Sequence, residues 1–499
     1  MKKYDVVVIG AGNGGISAAV ALAQKGLKPL VIEQHNLPGG CASSFVRGRF
    51  EYDVSLHSMY YESNFKPVFE GMMGLTAQFP EVAQEFENIY VEDGKIIREH
   101  YDLTGDMEKQ IEEKHPGCGA QWYTLVNLMR EMQPAFGAFT APGADMGKVM
   151  MEYPSFAKYG LMPVEQVFEE FKTPQYLRNL LSLFWWYAGM SPEIAPFAMY
   201  SMIAGSEFSI PINYPKETAH GYLAEMESII RKHGGDIWFN TTVTAINTEN
   251  GFVTSVETSQ GDIIPTNFVI SDIDSRAIFG GMLKGADEVC AQIGQQLSVV
   301  KENFSFIVIY LGMDASADEL GIKDHHIYIN EDFNANTVYN HCGSWDGPKT
   351  IGVMCPNVTI PDFSPEGTCV LSISVPVQGS ILEGLDQKGY IEKKHEFEAK
   401  IISKVEKYLG VDIKSHIEEI ETATPATISR YAKLYNGSLG NLMSVQQMPV
   451  TGAINGQINS GIIKELAFIG QYAMALGYQN TVNGYMAATG MVDMMKEVK

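Results

Sequence analysis

Residues 4–33 read YDVVVIGAGNGGISAAVALAQKGLKPLVIE, and this stretch decides the fold. Tyr4 to Ile9 is a short run rich in β-branched residues and predicts a buried strand. Gly10-Ala11-Gly12-Asn13-Gly14-Gly15 follows at once, and Ile16 to Gln24 has the small-residue pattern of an amphipathic helix. Lys28 to Ile32 predicts a second strand, closed by Glu33, 18 residues after Gly15. Each glycine has a separate task. Gly10 permits the tight turn, Gly12 lets backbone approach a pyrophosphate, and Gly15 lets the helix pack closely on the strand. The helix N-terminus presents N–H groups and a positive dipole end to phosphate. Glu33 stands where an acid accepts hydrogen bonds from ribose hydroxyls. A G-x-G-x-x-G alone is a weak signal in a chain with 48 glycines. Strand, helix, second strand and acid in register make it a dinucleotide-binding βαβ unit.

Bulk composition narrows the alternatives. A chain of 499 residues, 45% apolar and 19% charged, is an ordinary globular protein with room for two or three domains. The net charge of −23 argues against nucleic-acid binding, which needs basic surface. It also disfavours general attraction to anionic lipid, leaving only local membrane contact. Tyr4 already lies in the first strand, so no secretory leader is expected ahead of it, and the cytoplasm is the expected compartment. Six cysteines (41, 118, 290, 342, 355 and 369) contain no C-x-x-C pair and read as reduced thiols. No metal-ligand spacing is present, and the adjacent His325 and His326 read as surface or core residues.

Further along, Leu37-Pro38-Gly39-Gly40 gives a second glycine turn and Arg49 to Asp53 a short strand. Residues 58–215 show little strand pattern, with helical periods at Lys109 to Gln133 and Pro163 to Phe171. Tyr176 to Gly205 is strongly apolar, but Arg178, Pro192, Glu193 and Pro196 interrupt it, so it reads as two short buried or interfacial helices and not a membrane span. Rossmann-type material resumes with a helix at Ala219 to His233 and strands at Asp236 to Phe239 and Val243 to Glu249. A hairpin at Phe252 to Pro265 and a buried strand at Asn267 to Ser271 follow. Strands at Phe304 to Met313, Thr350 to Met354 and Thr368 to Val375 fit an antiparallel sheet. Tyr390 to Leu409 is a charged amphipathic helix, Leu466 to Gly470 one more strand, and Asn483 to Lys496 a last helix.

The chain resembles the FAD-dependent phytoene desaturase, carotenoid isomerase and retinol saturase family over essentially its full length. The N-terminal block with Glu33, Gly39 and Gly40 looks like that family's FAD-binding start. Phe50-Glu51-Tyr52-Asp53-Val54-Ser55-Leu56-His57 resembles its F-x-x-D-x-G-x-H block, with Ser55 where glycine is usual. Gly234-Gly235-Asp236-Ile237 through Val243, Gly251-Phe252-Val253 and Ile270-Ser271-Asp272 look like its middle nucleotide block. Thr424-Pro425-Ala426-Thr427 with Arg430-Tyr431 resembles its T-P-x-T…R-Y block, and Leu466 to Gln471 its last strand. Gln471 stands where many relatives have an acid, and the stretch beyond it lacks their prolines. The resemblance implies an α/β fold: a Rossmann-like FAD-binding domain from residues 1–57, 216–275 and 440–499, and a substrate domain of antiparallel sheet and helices from 58–215 and 276–439. It implies FAD held by Gly10, Gly12, Asn13, Gly14, Gly15, Glu33, Gln34, Gly39, Gly40, Val243, Gly470 and Gln471. The substrate would be a hydrophobic small molecule, with peripheral contact at the inner membrane face.

Hydrogen transfer across a C–C bond needs a hydride site at the flavin and a proton donor or acceptor opposite. His57 is one candidate, because a histidine titrates near neutral pH; its alternative role is to hydrogen-bond backbone or flavin. Tyr60 and Tyr61 either orient substrate or pack. Arg430 either contacts a polar substrate end or pairs with a carboxylate. Trp185, Trp186, Tyr187, Phe197 and Tyr200 are either tunnel wall or core. Cys41 has no partner cysteine nearby, which disfavours a disulfide reductase. The function expected is desaturation, saturation or isomerisation of a polyene, isoprenoid or lipid-like molecule. A flavin amine oxidase and a flavin-free isoprenoid carrier of the same fold are the alternatives.

Overall fold

The computed structural model describes residues 4–55, 59–82, 84–140, 145–459, 461–470 and 479–497. Its N-terminal strand β1 (Val6–Ile9) leads through the glycine turn into helix α1 (Asn13–Gln24) and then strand β2 (Pro29–Ile32). Both strands enter a five-stranded parallel sheet, ordered Leu466–Phe468, Val269–Ser271, β1, β2, Asp236–Trp238. A parallel sheet is covered on both faces, so its strands are apolar throughout and not alternating. The pleat still sorts the side chains. Val6, Val8 and Val31 face a core with α1 and the helices Thr218–Lys232 and Gln479–Glu497. Val7, Ile9, Leu30 and Ile32 face the other way, onto Val243, Ile246, Val253 and Val256 of a smaller four-stranded sheet. This is the α/β nucleotide-binding architecture read from residues 4–33, drawn together from three distant parts of the chain.

A seven-stranded mixed sheet forms the second layer system. Its order is Ile417–Ala423, Ser305–Met313, Cys369–Val377, Thr350–Met354, His326–Asn330, Glu85–Glu92, Lys95–Asp102. Its pairings are antiparallel except that of His326–Asn330 with Glu85–Glu92. One face packs on the helix Gln387–Leu409. The other packs on helices between Met107 and Glu207, including Gly119–Thr140.

The hairpin at 85–102 corrects the expectation that residues 58–215 hold little strand. Its turn is Asp93-Gly94, with φ of 49° and 74°, the left-handed pair that a two-residue hairpin turn requires. The apolar stretch at 176–205 forms three helices instead of two: Gln175–Leu181, Trp185–Ala188 and Phe197–Glu207. Pro174 and Pro196 stand at the N-termini of the first and last. Trp185, Trp186, Phe197 and Tyr200 are buried in the helical core, and the Trp186 ring lies directly on Gly352 of the sheet. His325 and His326 are both buried.

One small element ties the two systems together. Phe50–Asp53 pairs with Ser44–Arg47 and packs Phe50 and Tyr52 on Val308, Tyr310 and Val370 of the large sheet. Its end reaches the opposite way. Asp53 accepts the Ala219 N–H at 2.7 Å and the Tyr214 hydroxyl at 2.6 Å, capping the helix Thr218–Lys232.

Candidate cofactor site

The carboxyl ends of the parallel strands open onto a cavity of about 480 Å³. Open α/β sheets bind their ligands at such an edge. Gly10, Gly12, Asn13 and Gly14 line it from the first turn, Glu33 and Gln34 from the end of β2, and Gly39 and Gly40 from the second turn. The two glycine turns are in contact: the Gly39 N–H donates to Ala11 O at 2.7 Å. Gly15 lies just behind them, and a Cβ added there would press on Gly10 O and approach Asp272 at 3.1 Å, so only glycine fits. Gly12, the N-cap of α1, supplies no side chain to the helix's first N–H groups.

Glu33 is held by backbone. Its Oε2 accepts the Ala11 N–H and its Oε1 the His35 N–H, both at 2.7 Å. Each oxygen keeps a second lone pair for a hydroxyl. The loop after Asp236–Trp238 is tied to the same place by the Thr241 N–H on Glu33 O at 2.9 Å, which brings Thr241, Thr242 and Val243 into the lining. Beyond them His35 meets the Tyr431 ring edge-on at 5.6 Å, and Gln34 Nε2 donates to Tyr431 O at 3.4 Å. At the other end Gly470, with φ of 87°, follows Leu466–Phe468 and lies against Gly14 and Asp272.

Other residues in the lining were not singled out as ligands by sequence. Asp272 is partly buried in the cavity wall, and desolvation with the Glu33 charge pushes its carboxyl up to about 7. Its position was readable: the residue after a parallel strand next to β1 must emerge at the ligand edge. Asn480, at the start of the last helix, is buried, and its Oδ1 has no hydrogen-bond partner among the described residues. Cys41 also lines the cavity; burial and then the Asp272 charge push its thiol up to about 12, so it is not a thiolate at neutral pH.

The catalytic candidates fall elsewhere. Tyr60 donates to Glu207 Oε1 at 2.7 Å, beside the Tyr187 and Tyr328 hydroxyls, which are 3.3 Å apart. Burial and Glu207 hold the Tyr60 hydroxyl well above its ordinary range, so it stays protonated. Arg430 is exposed on the helix Pro425–Ala432, outside the lining, with its guanidinium 5.6 Å from the Tyr431 ring centre. His57 and Gln471 lie outside the described residues. Away from the cavity, His100 sits between Glu85 and Asp324, bonding one with each ring nitrogen at 3.4 and 3.2 Å.

Comparison with known proteins agrees with this geometry. A family model described as an NAD(P)-binding Rossmann-like domain matches residues 8–73. The chain is 25% identical to all-trans-retinol 13,14-reductase of Danio rerio, over 98% of this chain and 86% of that protein. It is 24% identical to the chloroplastic prolycopene isomerase of Daucus carota, over 98% and 81%. Phytoene desaturase of Fusarium fujikuroi is also 24% identical, over 88% and 80%. Among solved structures, a putrescine oxidase variant superposes with a TM-score of 0.70 at 13% identity, covering 99% of each chain. Cyclohexylamine oxidase of Brevibacterium oxydans gives 0.65 at 13%, again over 99% of each. These two likenesses show the fold alone. Over most or nearly all of its length, the chain is thus similar to a retinol reductase, a prolycopene isomerase and a phytoene desaturase.

Proposed function

We propose that the chain is an FAD-dependent oxidoreductase that desaturates, saturates or isomerises carbon–carbon bonds of a hydrophobic polyene, isoprenoid or lipid-like small molecule. The observation that carries this reading is a full-length likeness to polyene enzymes joined to a glycine-lined cavity at the edge of a parallel sheet. The residues present fit a dinucleotide. A Cβ at Gly12 or Gly14 would fill the cradle at the N-terminus of α1, Glu33 keeps lone pairs for ribose hydroxyls, and Asn480 brings a buried acceptor to the cavity. In this reading Gly10, Gly12, Asn13, Gly14 and Gly15 receive the diphosphate, Glu33 the ribose, and Gln34 and Val243 the adenine end. Gly39, Gly40, Gly470 and Gln471 border the flavin half. Residues 1–57, 216–275 and 440–499 hold the cofactor, and 58–215 and 276–439 hold the substrate. When bound, the flavin supplies the hydride chemistry; the chain supplies position, proton transfer and exclusion of water.

In this reading the proton is handled by protonatable side chains outside the described cavity lining. Ser55 lines the cavity, and Tyr60 follows five residues later in sequence with its hydroxyl on Glu207. Glu207 is buried and Tyr60 partly buried among aromatic side chains, which limits exchange of a proton there with water. His57, between Ser55 and Tyr60, is the second acid/base candidate. Among the described residues no helix is long and apolar enough to cross a membrane, so an apolar substrate would be collected by surface contact with a bilayer.

The deciding experiment is the visible spectrum of the purified protein, followed by acid release of any bound flavin. Flavin bands and released FAD are expected, with turnover of polyenes, isoprenoids or unsaturated lipids under oxidising or reducing conditions. A colourless protein that FAD does not reconstitute refutes the reading. Hydrogen peroxide release on addition of simple amines would replace it with an amine oxidase.

A further inference from the structure

The diphosphate end of the cavity is short of positive charge. Glu33, Asp272 and Asp274 all line it, and among the described lining residues Lys433 is the single permanent cation, exposed at the rim. Asp274 is answered locally, taking the Arg276 N–H at 2.9 Å with the Arg276 guanidinium 3.6 Å away. Among the described residues Asp272 has no such cation. Its Oδ2 accepts the Gly15 N–H at 2.8 Å, one of the amides a helix N-terminus offers to a phosphate. Its carboxyl group fills the space in front of the glycines: a Cβ at Gly12 would stand 2.5 Å from Oδ2, one at Gly14 2.8 Å from Oδ1, and one at Gly470 against Oδ1. The glycines therefore accommodate this carboxyl group as well as any ligand.

We propose that the dinucleotide's diphosphate is bound together with one proton, held on Asp272. This rests on the dinucleotide reading above. A diphosphate carries two negative charges at any neutral pH, and placing it on an ionised Asp272 beside Glu33 would set like charges together in a partly desolvated cavity. A neutral Asp272 keeps Oδ2 as acceptor for Gly15 and turns the group from a competitor of phosphate into a hydrogen-bond donor. The titratable groups that face it are Glu33 from the end of β2 and Cys41 from the second glycine turn, with Asp274, His35 and Lys433 farther along the cavity. The helix dipole at α1 favours the ionised form, but burial and then the Glu33 charge oppose it and hold the carboxyl near pH 7. Proton uptake on binding is the thermodynamic consequence.

The test is calorimetric titration of flavin-stripped protein with ADP-ribose, which carries the diphosphate but no group that titrates near neutral pH. Buffers of different ionisation enthalpy then report the protons exchanged. About one proton taken up per ADP-ribose at pH 8 is expected, with affinity falling about tenfold per pH unit above 7. Asp272→Asn should bind at pH 6 as tightly as the parent, take up no proton and lose the pH slope. FAD, followed by quenching of its fluorescence, should show the same contrast. Binding of ADP-ribose by the parent without proton uptake overturns the proposal while leaving the cofactor reading intact, and so does equal uptake by Asp272→Asn. Failure of both FAD and ADP-ribose to bind at any pH overturns the cofactor reading and this proposal with it. The parent measurement alone decides the matter if the variant does not fold.

Discussion

Glu33→Ala separates two jobs done by one side chain. The first is structural. Glu33 is 8% exposed and accepts two backbone N–H groups, from Ala11 and His35, each at 2.7 Å. Truncation orphans both amides, and a buried unpaired donor costs about 1–3 kcal/mol. The cavity admits water to this end, so the lower figure applies, giving about 2 kcal/mol lost from the flavin-free protein. The second job is the proposed one, receiving ribose hydroxyls. A hydrogen bond to a charged acceptor contributes about 1.5–3 kcal/mol, so FAD affinity should fall by about 10- to 150-fold for each bond lost. Glu33→Gln keeps one acceptor oxygen and points an NH₂ group at the other amide, so it should fall between parent and alanine on both scales. Denaturant unfolding of the flavin-free proteins measures the first effect and quenching of FAD fluorescence the second. Lost stability with unchanged FAD affinity would refute the ribose role. Lost affinity at unchanged stability would refute the amide-anchoring role.

Three further perturbations test other parts of the argument. Tyr60→Phe removes the hydroxyl that donates to Glu207; if the pair carries the proton, turnover should drop about 10²- to 10⁴-fold with FAD affinity unchanged, whereas a packing role would leave turnover near the parent value. Asp53 is pushed by burial to about 7 against an ordinary 3.8, so its contribution to stability is complete below about pH 4 and is lost as pH rises through 7. Asp53→Asn should remove that fall, worth at most about 4 kcal/mol, from the difference between the two proteins' stability–pH curves. Gly352→Ala would drive a methyl group into the Trp186 ring and should cost about 1–3 kcal/mol in denaturant unfolding while leaving FAD binding intact.

Much of this architecture was legible because its signals are local. The βαβ unit at 4–33 announces itself through a strand, three placed glycines and an acid, all within 30 residues. The strands at Val243–Glu249, Phe252–Thr258 and Ser305–Met313 follow from pattern and turn chemistry in the same way. The hairpin at 85–102 was equally local, with Asp93-Gly94 as its turn, but Glu85, Glu87, Glu92, Lys95, Arg98 and Glu99 mask its apolar alternation. Those charges are satisfied in the sheet: Glu87 pairs with Arg98 at 2.7 Å, and Glu99 accepts from Tyr101 at 2.9 Å and takes the His115 ring. His326–Asn330 and Ile417–Ala423 are short or strongly polar and gain strand structure only from long-range partners. Asn480 belongs to the same class. Nothing in its own neighbourhood marks it as a cavity residue; the packing of the last helix on α1 brings it there, whereas Asp272, directly after the strand Val269–Ser271, was readable once the sheet order was known.

The strand Phe50–Asp53 explains how a cavity assembled from such distant segments keeps its shape. Its aromatic face is locked into the large sheet, where Gly312 leaves room for the Phe50 ring to lie on backbone, and Tyr310 reaches back to Val54 O at 2.6 Å. Its polar end is locked into the nucleotide side by Asp53 on Ala219 and by Glu51, which accepts from both Ser44 and Thr218 at 2.8 Å. Ser55, two residues after Asp53, lies in the cavity lining. The strand Phe50–Asp53 is thus anchored on both layers at once. A shift of one layer against the other would break buried hydrogen bonds at Asp53 and apolar packing at Tyr52 together, and each loss alone costs about 1–3 kcal/mol. This strand therefore fixes the large sheet against the parallel sheet that carries the glycine cradle, the geometry on which the proposed cofactor site depends.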